Sequence, residues 1–200
     1  MFWRRGQETE KTALLVAALS GVLQAQPALL EHLPALGPLP RLLRTLSAAP
    51  SAAATGLLLR LLSAVGASVG CVDALAKLEC VAPLAAALRH HAEHTAAVLD
   101  VVDKLVRQSA AAGAAEELAQ QCVAADLPAQ LLHLLDESAP GAVHLTPAGR
   151  ATVVSILKVP PPRHFQQCRL GIRSESGPHL IGLSILRRFK IIESSRPNLT

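Results

Sequence analysis

The chain has 200 residues, of which 50% are hydrophobic and only four are aromatic. Alanine, leucine and valine together account for 86 residues, and since alanine and leucine favour helices, the composition predicts an all-α protein. Sheet proteins, disulfide-knit secreted modules and disordered chains are thereby disfavoured. Nucleic-acid binding by base stacking is also disfavoured, because no aromatic residue lies between Trp3 and Phe165.

Charge divides the chain near Lys158. Residues 1–158 hold 12 Lys/Arg and 13 Asp/Glu, whereas residues 159–200 hold 7 and 2. The basic balance of the whole chain therefore comes from its last segment. We predict a helical repeat domain over residues 8–158 and a basic, irregular, disordered tail of different origin over residues 159–200.

The first helix in chain order is predicted to begin at Thr12 and to reach Leu23. A secretory signal is an alternative interpretation of this segment, because two arginines precede an apolar stretch. Glu8 and Glu10 in the would-be positive region argue against a signal. The stretch is also interrupted by glutamine and proline, which disfavours a membrane span.

Two later helices repeat the pattern of the first. They are predicted to begin at Thr55 and Thr95, which gives spacings of 43 and 40 residues from Thr12 onward. In all three, the residues 3, 7 and 10 positions further on are apolar and share one helix face. These positions are Leu15, Leu19 and Val22, then Leu58, Leu62 and Val65, then Val98, Val102 and Leu105.

A second series of shorter helices is marked by proline. Pro40, Pro83 and Pro128 are 43 and 45 residues apart, and each is predicted to lie in the first turn of a short apolar helix, where proline is tolerated. Further helices are predicted at Pro27–His32, Val69–Lys77, Ala114–Ala124 and Pro147–Val159.

Three helices in a period of about 40–47 residues are typical of armadillo and HEAT proteins. We therefore predict an armadillo/HEAT-like right-handed helical solenoid of three to four repeats. An ordinary helical bundle is the alternative architecture, and the regular spacing makes it the weaker one.

The sequence also resembles one family, on three stretches: QPALLEHLPALGPLPRLL (26–43), CVDALAKLECVAPLAAAL (71–88) and QQCVAADLPAQLLHLLDE (120–137). They resemble the C-terminal armadillo-like region of the receptor-mediated endocytosis protein eight family, which are giant endosomal DnaJ-domain co-chaperones. The resemblance covers about residues 8–158. It implies a non-enzymatic scaffold in endosome organisation, receptor-mediated endocytosis and intracellular protein transport.

The same resemblance implies a cytoplasmic location on the cytosolic face of early endosomes. It also implies sorting nexin, retromer or WASH components as protein partners. The family activates Hsp70 through a His-Pro-Asp signature, and none of the eight histidines here precedes a proline. Hsp70 activation is therefore not expected. A generic armadillo/HEAT adaptor and a non-functional fragment remain alternatives.

Two short motifs raise a hydrolase as a remote alternative. Residues 66–70 match GxSxG, a hydrolase motif that requires a strand-to-helix turn. The residues before the motif have helical periodicity, however. They predict a turn between two helices, in which Gly66 closes the first helix and Ser68 caps the second. Residues 90–94 match HxxEH, which on a helix places two zinc-binding histidines on one face. No third ligand is evident, so a solvated helix end is favoured. We predict no catalytic residue, cofactor or metal.

The predicted partner-binding residues lie on the outward face of the long helices and are Arg60, Asp100, Lys104 and Arg107. This face has no asparagine ladder and no tryptophan, which disfavours basic localisation peptides and favours a mixed-charge or acidic ligand. A merely solvated helix face is the alternative.

The four cysteines form no CxxC pair and are predicted to be free thiols in a reducing compartment: Cys71, Cys80, Cys122 and Cys168. Direct membrane contact is disfavoured, because the basic stretch Arg187–Lys190 is small for a membrane-binding patch.

Overall fold

The computed structural model describes residues 2–48, 51–136 and 145–158, which all belong to one compact unit. The predicted tail, 159–200, lies outside the described residues. The described residues form helices and no strand, so the all-α prediction is confirmed for them. The α-helices are α1 Phe2–Ala25, α2 Leu33–Leu36, α3 Leu39–Ser47, α4 Ala52–Val65, α5 Val69–Lys77, α6 Val81–His90, α7 Thr95–Ser109, α8 Ala115–Ala124, α9 Leu127–Leu135 and α10 Pro147–Leu157. Two short 3-10 helices complete them, at Pro27–His32 and Ala92–His94.

Most of the helix predictions agree with the structure. The pieces at Pro27–His32 and Val69–Lys77 have the predicted bounds, although the first is a 3-10 helix. All three marker prolines lie in the first turn of their helices, α3, α6 and α9. Proline is stable there because the N–H that it lacks would have no partner within the helix.

The four long helices contact one another in chain order. Helix α1 packs against α4, α4 against α7, and α7 against α10. The shorter helices follow a parallel order, since α2 contacts α5, α5 contacts α8, and α3 contacts α6. Equivalent helices of successive sequence units are therefore neighbours in space, apart from α6 and α9, since the close neighbours of α9 are α8 and α10.

Helices α4 and α7 bury the apolar stripe that the sequence predicts. Leu58, Leu62 and Val65 of α4 are at most 1% exposed, and the equivalent side chains of α7 are buried as well. Each of these helices lies between two long neighbours and also contacts shorter helices. Burying a leucine fully stabilises a fold by roughly 1.5–3 kcal/mol, so these stripes hold the helices together.

Helix α1 departs from this prediction. Leu15 is 71% exposed and Val22 is 50% exposed, whereas the buried side chains of α1 are Val16 and Leu23. The reason is that α1 packs closely on one long helix, α4, whereas α4 and α7 each lie between two long helices. The predicted stripe of α1 is therefore covered only in part: Leu19 is half-buried against the core, whereas Leu15 and Val22 stay exposed.

A residue with left-handed backbone conformation lies in the turn between α2 and α3, in the turn between α5 and α6, and in the turn between α8 and α9. These residues are Gly37 (φ 73°), Glu79 (φ 54°) and Asp126 (φ 53°). In each case a fully buried residue follows within two positions, namely Leu39, Cys80 and Leu127. The left-handed residue thus turns the chain so that the next helix begins with a side chain in the core.

Glycine at position 79 should stabilise the protein. A non-glycine residue in the left-handed region costs about 1–2 kcal/mol, and the greater freedom of glycine in the unfolded chain offsets part of that cost. We expect Glu79→Gly to raise the free energy of unfolding by about 0.5–1 kcal/mol in urea titrations. Glu117→Gly, at an exposed helical position, should lower it instead. A loss of stability in Glu79→Gly would contradict the prediction.

No single helix in the described ranges is long and apolar enough to cross a membrane. One bent pair, Leu14–Leu23 with Pro27–Leu36, reaches that length and composition only when taken together, and its two parts meet at 116°.

Candidate functional site

Polar side chains of α4 and α7 form a surface that we name the α4–α7 polar face. It consists of Arg60 and Ser63 on α4 and of Asp100, Asp103, Lys104 and Arg107 on α7. All four predicted partner-binding residues belong to it. Arg60, Asp100 and Arg107 are exposed, and Lys104 is half-buried.

The centre of this face joins the two helices. The Ser63 hydroxyl donates a hydrogen bond to the Asp100 carboxylate, and the Lys104 ammonium donates to the Ser63 oxygen. Lys104 Nζ also lies 3.0 Å from Asp100 Oδ2, one turn away on the same helix. Two of the predicted residues are therefore paired with each other, and a serine that the sequence did not single out links them to α4.

The edge of the face is less constrained. Arg107 pairs with Asp103 at 2.7 Å between Nε and Oδ2, and the Arg107 side chain remains 67% exposed. Arg60 makes no ion pair with any residue in the described ranges. The face thus presents two accessible guanidinium groups, each able to donate several hydrogen bonds to a carboxylate or a backbone carbonyl.

The Asp100 carboxylate is held in its charged form. Partial burial raises its pKa, but the hydrogen bonds from Ser63 and Lys104 and the charge of Lys104 outweigh burial, so the net pKa is lowered. A lowered pKa in the folded state stabilises the fold above the pKa of the unfolded carboxyl, about 3.9, and this stabilisation disappears as the pH falls through the folded pKa.

Removing the Asp100 charge should therefore have a pH-dependent effect. We expect Asp100→Asn to lower the free energy of unfolding by about 0.5 kcal/mol at neutral pH, since half-exposed ion pairs contribute little in water. Near pH 3 the difference from the wild-type protein should shrink towards zero. Urea titrations at both pH values measure it, and an equal difference at both would contradict the pKa shift.

The GxSxG motif lies between two helices. Residues before Gly66 form α4 and those after Ser68 form α5, so the strand that the hydrolase turn requires is absent from this position. The predicted helix–helix turn is confirmed, with Gly66 at the C-cap of α4 and Ser68 at the N-cap of α5. The Ser68 side chain makes no capping hydrogen bond, however, and Gly66 has a right-handed φ of −65°.

The HxxEH motif does not lie on one helix. Helix α6 ends at His90, and Ala92–His94 forms a separate 3-10 helix. His91 lies 3.4 Å from the Thr55 hydroxyl and His94 lies 2.6 Å from the Ala52 carbonyl oxygen, so both rings contact the start of α4. The described residues contain no group of three or more possible metal ligands.

The cysteines of the described chain are unpaired core residues. Burial raises the pKa of the Cys80 thiol to about 12 and that of Cys122 to about 11. Burial also raises the pKa of Cys71, whose thiol donates to the Leu30 carbonyl. These thiols stay protonated at neutral pH and are poor nucleophiles. Cys168 lies outside the described residues.

Two residues of the α4–α7 polar face, Asp103 and Ser63, are not among the residues predicted from the sequence. The spacing of Asp103 and Arg107 is that of an ion pair one helical turn apart, so the pair could have been identified from sequence. Ser63 could not, because its partners lie 37 and 41 residues further along the chain and meet it only through the packing of α4 on α7.

The chain matches no protein-family model, and searches of curated proteins and of solved structures return no match.

Proposed function

We propose that the protein is a solenoid of three-helix repeats that acts as a non-enzymatic protein-interaction scaffold. The observation that carries the proposal is the contact of the long helices in chain order, α1 to α4 to α7 to α10, together with the contacts of α2 with α5, α5 with α8 and α3 with α6. Contacts between successive units are the property expected of a solenoid.

The repeats are assigned from this order. Residues 27–65, 69–109 and 115–157 each supply short helices followed by one long helix, and α1 precedes them as a single long helix. The short helices are the 3-10 helix Pro27–His32, α2 and α3 in the first unit, α5, α6 and the 3-10 helix Ala92–His94 in the second, and α8 and α9 in the third. The left-handed corner recurs in each unit, at Gly37, Glu79 and Asp126. This recurrence supports the assignment, because it is independent of the apolar pattern.

The proposed binding surface is the α4–α7 polar face. Neighbouring long helices place their polar residues side by side, so an extended segment crossing them would meet several repeats. Asp100 and Lys104 are fixed by Ser63. Arg60 makes no ion pair with a described residue, and Arg107 stays largely exposed in its pair with Asp103, so both guanidinium groups are accessible to a partner. We propose a partner segment with acidic side chains, which the two guanidinium groups would hold in bidentate fashion.

The resemblance to the receptor-mediated endocytosis protein eight family suggests where to look for that partner. We propose an early endosomal location on the cytosolic face and binding to sorting nexin, retromer or WASH components. Without the His-Pro-Asp signature, no activation of Hsp70 is proposed.

Affinity capture with the full chain tests this function. The bait is compared with a variant that reverses the charge at both guanidinium positions, Arg60→Glu with Arg107→Glu. The matched control makes the same change at two exposed arginines that lie off the face, Arg41→Glu on α3 with Arg89→Glu on α6.

We expect the wild-type chain and the Arg41/Arg89 control to recover endosomal sorting components by mass spectrometry, and the Arg60/Arg107 variant to lose them. Recovery of a different set of proteins, lost with the same variant, would retain the scaffold and replace the endosomal assignment with a generic adaptor. Equal recovery by all three baits would contradict the proposed surface. Turnover in an ester or peptidase screen that Ser68→Ala abolishes would contradict the non-enzymatic proposal.

A further inference from the structure

Helix α1 carries an exposed apolar stripe, which we name the α1 stripe and define as Leu14, Leu15, Ala18, Val22 and Ala25. All five side chains are exposed. Leu15, Ala18, Val22 and Ala25 follow one another at spacings of 3, 4 and 3 residues. This is the spacing of the apolar seam along which two helices pair.

The equivalent positions of the internal long helices show that such a stripe is normally covered. Leu15 corresponds to Leu58 and Val98, which are 1% and 0% exposed. Val22 corresponds to Val65 and Leu105, and both are buried. In α4 and α7 the covering surfaces are other apolar helices of the fold. The chemistry that fits the α1 stripe is therefore another uncharged, apolar helix face.

The described chain offers one surface of that kind, the stripe itself. The other exposed large apolar side chains lie singly on different elements, namely Leu36, Val69, Leu78 and Val123. No charged residue occurs between Thr12 and Leu30, so two stripes can approach each other without like-charge repulsion. A two-fold arrangement would bury the same stripe on both chains.

We propose that the α1 stripe is a dimer interface whose occupant is the α1 stripe of a second copy of this chain. Three large side chains per copy bury roughly 300 Å², or roughly 600 Å² over both copies, to which the alanines add a little. This area is below the roughly 1,200 Å² of stable interfaces, so the dimer is weak and its formation depends on protein concentration.

Sedimentation of the full chain over a concentration series, from about 10 to about 500 μM, measures this association. The test variant carries Leu15→Lys and Val22→Lys together. The matched control is Val123→Lys on α8, since Val123 is 50% exposed, as Val22 is. Circular dichroism checks that the helical content of both variants is retained.

The proposal predicts concentration-dependent dimers for the wild-type chain and the control, and at least about tenfold weaker association for the double variant. Hydrogen exchange of residues 14–25 in the wild-type chain should also slow as its concentration rises, a result that needs no variant. A wild-type chain that stays monomeric throughout would overturn the proposal. So would dimers that the double variant leaves intact, or a stripe that binds zwitterionic lipid vesicles while the chain remains monomeric.

Discussion

Truncating Leu58 to alanine is expected to lower the free energy of unfolding by about 3–5 kcal/mol. Leu58 is 1% exposed, on a helix that packs against both α1 and α7. The loss combines the apolar surface removed with the cavity left between helices that relax only in part. It is large because stability of a domain is commonly only 5–15 kcal/mol in total.

Leu15→Ala is the matched control for this truncation. Leu15 is the equivalent residue of α1 in the sequence repeat, but it is 71% exposed. We expect its truncation to change the free energy of unfolding by less than about 0.5 kcal/mol, provided that the protein is dilute and monomeric. Urea titrations followed by circular dichroism measure both variants. Similar losses for the two would contradict the one-sided packing of α1.

Replacing Gln121 with leucine is expected to have the second largest effect, a loss of about 1–3 kcal/mol. The half-buried Gln121 side chain on α8 links α5 to α6. Its Nε2 donates to the Ala76 carbonyl at 2.5 Å, and its Oε1 accepts from the Val81 N–H at 3.4 Å. Val81 begins α6, where backbone N–H groups have no partner within the helix, so the side chain satisfies a group that the helix leaves open.

Gln120→Leu is the control for this substitution, because Gln120 precedes Gln121 on α8 and is exposed. The same chemical change there should leave the urea midpoint nearly unchanged. Gln121→Glu should lie between the two in stability, since it keeps the acceptor for Val81 but loses the donor to Ala76. Equal midpoints for the two leucine variants would show that the link contributes nothing.

The helices that repeat along the chain and their buried faces can be predicted from the sequence. The stripe on α4 and α7 and the prolines of α3, α6 and α9 have local causes, namely helical periodicity and the fixed φ of proline. For that reason the predicted buried face of α4 and α7 and the predicted first-turn prolines agree with the structure. Helix α7 begins at Thr95 as predicted, whereas α4 begins at Ala52 instead of Thr55 and α1 at Phe2 instead of Thr12.

The departures have non-local causes. Periodicity identifies an apolar face on α1, but it does not specify which side of the helix has a neighbour, so Leu15 was expected to pack. The left-handed backbone conformation at Gly37 is one that glycine favours, but Glu79 and Asp126 adopt the same conformation without a glycine in the sequence to indicate it. Ser63 joins the candidate site only because packing of α4 on α7 brings it to Asp100.

Site-specific photo-crosslinking of the full chain in cells can show whether a protein partner binds to the α4–α7 polar face. A photoreactive amino acid replaces exposed Arg60 in one protein and exposed Lys77 of α5 in another. We expect position 60 to crosslink to a defined set of proteins, endosomal sorting components among them, and position 77 not to crosslink to them. Crosslinking from position 77 alone, or the same products from both positions, would contradict this expectation.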